Sequence, residues 1–136
     1  MIATQKTCMA LAALAISLPA VAQDCGDLAG ALRVESERYV LAYRTKPDKP
    51  VVGQHFSMDL AVCPKPGQVA AEGLRVDAQM PEHRHGMNYR TRVKSEAAGR
   101  YLAEGFMFHM PGRWEFIFEV RGAGKTDRAT RSVTLE

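Results

Sequence analysis

The stretch Phe106-Met107-Phe108-His109-Met110-Pro111-Gly112-Arg113-Trp114-Glu115-Phe116-Ile117-Phe118-Glu119-Val120 decides the fold. Phe106, Phe108 and Met110 fall on one side of an extended chain, and Met107 and His109 on the other. Pro111-Gly112 is a tight turn. After it Trp114, Phe116, Phe118 and Val120 recur at every second position. A period of two belongs to a strand with one buried face. The large side chains on that face then fill the space between two sheets.

The same period extends towards both ends. Tyr39, Leu41 and Tyr43 alternate with Arg38, Val40 and Ala42. Phe56, Met58, Leu60 and Val62 alternate with His55, Ser57, Asp59 and Ala61. Leu74, Val76, Ala78 and Met80 alternate with Arg75, Asp77 and Gln79, and Tyr89, Thr91 and Val93 with Arg90, Arg92 and Lys94. Leu102 opens another run, interrupted at Gly105, and residues 130–135 form the last. Turns fall at Pro47-Asp48-Lys49-Pro50, at 64–67, at Gly99 and at 122–124. About seven short strands with turn signals every ~8–12 residues predict an all-β antiparallel sandwich. Its core is expected to hold Trp114, Phe116, Phe118, Leu60, Val62 and Val76. Residues 24–37 are ambiguous: Leu28, Ala31 and Leu32 fit one helical turn, but Gly26 and Gly30 oppose it.

Residues 1–22 read as a leader. Lys6 supplies a positive charge, positions 9–18 are almost wholly apolar, and Ala20-Val21-Ala22 is a small-x-small cleavage pattern. The apolar run is shorter than the ~20 residues a bilayer demands. Cleavage after Ala22 is expected to leave residues 23–136 as one periplasmic domain with no membrane anchor, and no lipobox precedes Cys25. The chain carries a net charge of +3, one unit of which is Lys6. Its basic and acidic residues are interspersed, so neither nucleic acid nor an anionic membrane is an expected partner.

Cys8 leaves with the leader. Cys25 and Cys63 remain, and an even pair in an oxidising compartment reads as a disulfide. They are far apart and neither lies in a CxxC, which disfavours a redox or metal-binding pair.

One segment does not read as scaffold: Met80-Pro81-Glu82-His83-Arg84-His85-Gly86-Met87-Asn88. It holds two of the four histidines and two of the seven methionines. Residues two apart on an extended chain share a side, which gathers His83, His85 and Met87. Imidazole suits copper, zinc and nickel, whereas the soft thioether selects Cu(I). A His-x-His-x-Met array without cysteine therefore favours copper, as Cu(I), Cu(II) or both. Met80-Pro81 and Met110-Pro111 both end strands. If those strands enter the same end of the sandwich, His109 and Met110 join the loop, with Met80 or Met110 completing the shell. Met80 and Met110 are also in phase with the core, and each alone reads as a core plug rather than a ligand. Met58 is core, and His55 lies outside both clusters. Tyr89 and Trp114 read as packing residues, and Arg90, Arg92 and Lys94 as a solvated face that guards an edge.

An enzyme is not expected. No Ser-His-Asp order, nucleophile elbow or phosphate loop is present. A sandwich-type copper monooxygenase needs histidine as its first mature residue, where Gln23 stands.

The segments Val76-Asp77-Ala78-Gln79-Met80-Pro81-Glu82-His83-Arg84-His85-Gly86-Met87, Gly99-Arg100-Tyr101 and Phe108-His109-Met110-Pro111-Gly112-Arg113-Trp114-Glu115 resemble the YtkA-like group, relatives of FixH-like proteins. The resemblance runs from about Tyr39 to the end. It implies an immunoglobulin-like sandwich of the bacterial envelope and a link to copper handling or to assembly of respiratory copper centres. FixH-like members keep a membrane anchor, and this chain departs from them there. The reading is a periplasmic copper carrier or buffer that transfers its ion to an envelope partner. The alternative is a metal-free interaction module or assembly factor for a respiratory or transport complex.

The cysteine pair gives the first prediction. Closing the loop between Cys25 and Cys63 stabilises by ~3–4 kcal/mol on a chain-entropy account. Thiol counting on unfolded, unreduced exported protein is expected to find none free, and two free thiols would contradict the pairing.

Overall fold

A computed structural model describes Leu28 and residues 31–136. The expected leader over residues 1–22 and Cys25 lie outside the described residues. Strands β1 (Leu32–Glu35), β2 (Tyr39–Lys46), β3 (His55–Pro64), β4 (Gly73–Met80), β5 (His85–Gly86), β6 (Arg92–Ala97), β7 (Arg100–Met107), β8 (Gly112–Gly122) and β9 (Lys125–Leu135) follow in order. They form two antiparallel sheets, one ordered β1-β2-β3-β7-β6 and the other β5-β4-β8-β9. Among the described residues there is no helix.

One apolar cluster joins the inner faces of both sheets. Leu41, Tyr43, Met58 and Leu60 come from the first sheet, and Val76, Phe116 and Phe118 from the second. The six residues assigned to the core by period are all buried: Trp114, Phe116, Phe118, Leu60, Val62 and Val76. At β6, on one edge, Arg92 and Lys94 are exposed, and Lys94 Nζ donates to Glu104 Oε2 on β7 at 2.8 Å. Charge on an edge strand blocks pairing with another chain.

Nine strands appear where about seven were expected, for identifiable reasons. β1 falls in the ambiguous stretch, and its four residues are too few for a clear period. β5 has two residues and is hidden inside the histidine loop. β9 starts at Lys125 instead of residue 130. Asp127 occupies an inward position there and breaks the apolar alternation. The β8–β9 hairpin closes through Ala123 and Gly124, both at positive φ of 50° and 70°. A two-residue loop with both central residues left-handed matches the natural twist of paired strands.

Asp127 ties the sheets together. Its carboxylate accepts from Ser36 Oγ at 2.9 Å, from the Arg38 backbone N–H at 2.8 Å and from Arg38 Nε at 2.7 Å. Arg38 Nη1 also donates to the Gly122 carbonyl at 2.8 Å. The side chains are 12% and 7% exposed, so the pair sits largely out of water. Burial pushes the Asp127 carboxyl up, but the hydrogen bonds from Arg38 and Ser36 outweigh it and hold the pKa below the usual carboxylate value.

The outer face of the five-stranded sheet carries a smaller apolar group. Leu28 and Ala31 pack there with Val40, Ala42, Ala61 and Cys63. Leu28 and Ala31 therefore cover part of the face on which Cys63 lies.

Asp127 also sets a pH dependence. Its folded pKa lies below the unfolded value of about 3.9. The stability it contributes is present above that value and lost as pH falls through the folded pKa. Asp127→Asn is expected to be less stable at neutral pH and to lose less stability on acidification below about pH 4. Urea melts across that range measure this, and identical slopes for variant and parent would contradict it.

Candidate metal centre

Strands β4 and β5 form a hairpin in which Met80 faces His85 and Gln79 faces Gly86. Residues 81–84 make the turn. The His83 N–H donates to the Met80 carbonyl at 3.1 Å, that of Arg84 donates to the Pro81 carbonyl at 3.4 Å, and Arg84 has φ of 55°. The segment is not extended through His83, so the period of two does not place that residue. The tight turn does: it leaves the His83 and His85 rings 5.7 Å apart, centre to centre. Arg113 Nε on β8 donates to Glu82 Oε1 at 3.0 Å and pins the turn from the side.

The second half of the cluster comes from the β7–β8 connection. Phe108 is fully buried, and its carbonyl accepts from the Gly53 N–H at 2.8 Å. Its ring stacks on Trp114 at 4.6 Å. Trp114 Nε1 in turn donates to the Met110 carbonyl at 3.0 Å, which fixes the Met-Pro-Gly turn. His109 sits within that clamp. Its ring is 5.2 Å from His85 and 5.3 Å from Trp114. His85 is 6.0 Å from Trp114. The His85 ring thus neighbours those of both His83 and His109, and the indole lies against His85 and His109.

The methionines divide. Met80 is 1% exposed and belongs to the core. Its methyl group lies against Gly112, where an added Cβ would stand 2.9 Å from it. Met87 and Met110 are half-buried and pack against the same core. Of the thioethers, Met80 therefore acts as a core plug, whereas Met87 and Met110 keep a route to the surface.

The imidazoles differ in their freedom. His85 Nδ1 lies 3.0 Å from the Gly86 carbonyl. A carbonyl only accepts, so this hydrogen bond requires the proton on Nδ1 and leaves the Nε2 lone pair unused. His109 Nδ1 is buried and, among the described residues, has no hydrogen-bond partner. A buried nitrogen without a partner calls for an explanation such as a water or an ion. Two imidazoles bound to one ion by bonds of about 2.0 Å stand with ring centres about 5 Å apart at tetrahedral angles. The His85–His109 spacing matches that, and the His83–His85 spacing is slightly wider. Among the described residues no group of three or more His, Cys, Asp or Glu side chains already converges on one point. The rings are close but tilted to one another by 34° and 51°, so capture needs them to turn.

The sequence places His55 outside both clusters and gives Tyr89 a packing role. His55 lies directly opposite Met107 across the β3–β7 ladder, and its ring meets Tyr89 edge-on at 4.8 Å. A register of this kind depends on which strands pair, and nothing local encodes it. A groove of about 520 Å³ also runs beside β4, lined by Arg75, Gln79, Met87, Tyr89 and Arg90 among others. No family model matches the chain, and no curated protein or solved structure shows significant similarity to it.

The turn beneath the cluster is testable. Gly112 has φ of 119°, a region side chains rarely adopt. Gly112→Ala adds backbone strain and a contact with Met80. It is expected to destabilise by about 1–3 kcal/mol. Thermal melting measures this, and an unchanged Tm would contradict the turn geometry.

Proposed function

We propose that the chain is a periplasmic copper-binding protein, a carrier or buffer, held by His83, His85 and His109 with thioether help from Met87 or Met110. The observation that carries the reading is the buried Nδ1 of His109, without a hydrogen-bond partner among the described residues and with its ring in contact with His85. Cysteine is absent from the cluster, and imidazole with thioether is the donor set that copper accepts in both oxidation states. An exposed His83 beside two half-buried rings gives a graded entrance. An ion is caught by the outer ligand and released by ligand exchange with an envelope partner. Residues 1–22 act as the cleaved leader that takes the chain to the periplasm, and Cys25 bonds to Cys63. The sandwich is of the immunoglobulin-like kind implied by the resemblance to the YtkA-like and FixH-like group. The protein is not an enzyme.

A second reading is a metal-free interaction module or assembly factor. What favours it is the groove beside β4, with Tyr89 45% exposed at its lining.

A copper titration of wild type and of the His83→Ala, His85→Ala double variant separates the two. The double variant is expected to lose Cu(I) and Cu(II) affinity by about 100-fold or more, beyond what changes around a metal site usually cause. Its metal-free stability is expected to move by about 1 kcal/mol or less, since these residues border a surface turn. Met87→Leu weakens Cu(I) more than Cu(II), because thioether is the soft donor. Equal affinity in the double variant and wild type would reject the copper reading and leave the interaction module.

A further inference from the structure

All four histidines of the chain lie at one end of the two sheets. His83, His85 and His109 form the cluster described above. His55 begins β3 on the outer face of the five-stranded sheet, directly opposite Met107, the last residue of β7. Met107 and His109 are separated only by Phe108, whose ring is fully buried. The His55–Met107 pair therefore lies two residues along the chain from His109, at the same end of the fold as the other histidines.

Three features of that pair point to a ligand. Residues directly opposite on an antiparallel ladder have Cβ atoms about 4.5–5.5 Å apart and side chains on the same face. An imidazole and a thioether are thus held side by side by the backbone register itself. His55 Nδ1 lies 3.2 Å from the Phe106 carbonyl. Since the carbonyl only accepts, Nδ1 carries the proton and Nε2 keeps its lone pair, the orientation usual for metal-binding histidine. Tyr89 packs edge-on against the ring at 4.8 Å and limits its rotation. His55 is exposed and Met107 half-buried, so the pair is reachable from solvent.

We propose that His55 and Met107 form a second site for a soft monovalent ion, Cu(I), on the outer face of the five-stranded sheet. With few donors it suits an ion that accepts a low coordination number, and its soft sulfur disfavours Zn(II) and Cu(II). It is weaker than the three-histidine cluster and serves as an outer station at the same end of the protein. Coordination forms and breaks ligand bonds only, with no change in the oxidation state of the ion. The site does not depend on the first.

The test is anaerobic Cu(I) titration of the exported protein against a chromophoric chelator, together with Ag(I) titration followed by the methionine methyl signals in NMR. Wild type is expected to take up a tight equivalent and then a weaker second one, with the Met107 methyl moving during the second. Met107→Leu and His55→Gln are each expected to weaken the second equivalent by about tenfold or more while leaving the first in place, as fits the loss of one soft or borderline donor. The His83→Ala, His85→Ala variant loses the tight equivalent and keeps the weaker one. Retention of the second equivalent in both His55→Gln and Met107→Leu would overturn the proposal. So would a wild-type protein that takes up one equivalent only, with the Met107 methyl unmoved. Neither result would touch the first site, whose own failure shows as an unaltered tight equivalent in the double histidine variant.

Discussion

The indole of Trp114 is the contact on which the candidate site depends. It is fully buried at one end of the core, where the two sheets open to solvent. One interaction stacks it on Phe108, another holds the Met110 carbonyl through Nε1, and its ring adjoins both His85 and His109. A single rigid side chain thus fixes the connection that carries His109 and presents it to the hairpin that carries His85. A large aromatic ring also keeps water from one side of the imidazoles. That lowers the local dielectric and leaves a nitrogen such as His109 Nδ1 without a solvent partner.

Stability and chemistry are placed at different points of the fold. The Arg38–Asp127 pair, fed by Ser36 and Gly122, links the first sheet to β9 of the second. The histidine cluster lies in a turn and a strand connection, which contribute little apolar burial. Loops on a rigid scaffold can change without loss of the core, which is why sites gather there. The Arg113–Glu82 pair is the exception, a scaffold arm reaching into the turn.

Much of the architecture was legible because alternation records burial directly. Trp114, Phe116, Phe118, Leu60, Val62 and Val76 were assignable to the interior from period alone. Asp127 was not, since a charged residue in an inward position looks like the end of a strand until Arg38 is seen beside it. The two Met-Pro strand ends would bring His109 and Met110 to the loop only if both strands enter the same end, and the His85 and His109 rings lie 5.2 Å apart. The turn that brings His83 to them was not foretold, because a period of two assumes an extended chain and residues 81–84 curl. His55 was set outside both clusters for a different reason. Its partner Met107 is distant in sequence, and only the β3–β7 register makes them neighbours.

The central claim is that copper is held by imidazole from the turn and the β7–β8 connection, with thioether assistance. X-ray absorption on wild-type protein loaded with less than one equivalent of Cu(I) tests it most directly. The account predicts imidazole nitrogen scatterers at about 2.0 Å with a sulfur near about 2.3 Å, distances typical of such donors on a borderline metal. A spectrum of light oxygen donors alone, without the outer-shell scattering of imidazole rings, would contradict it.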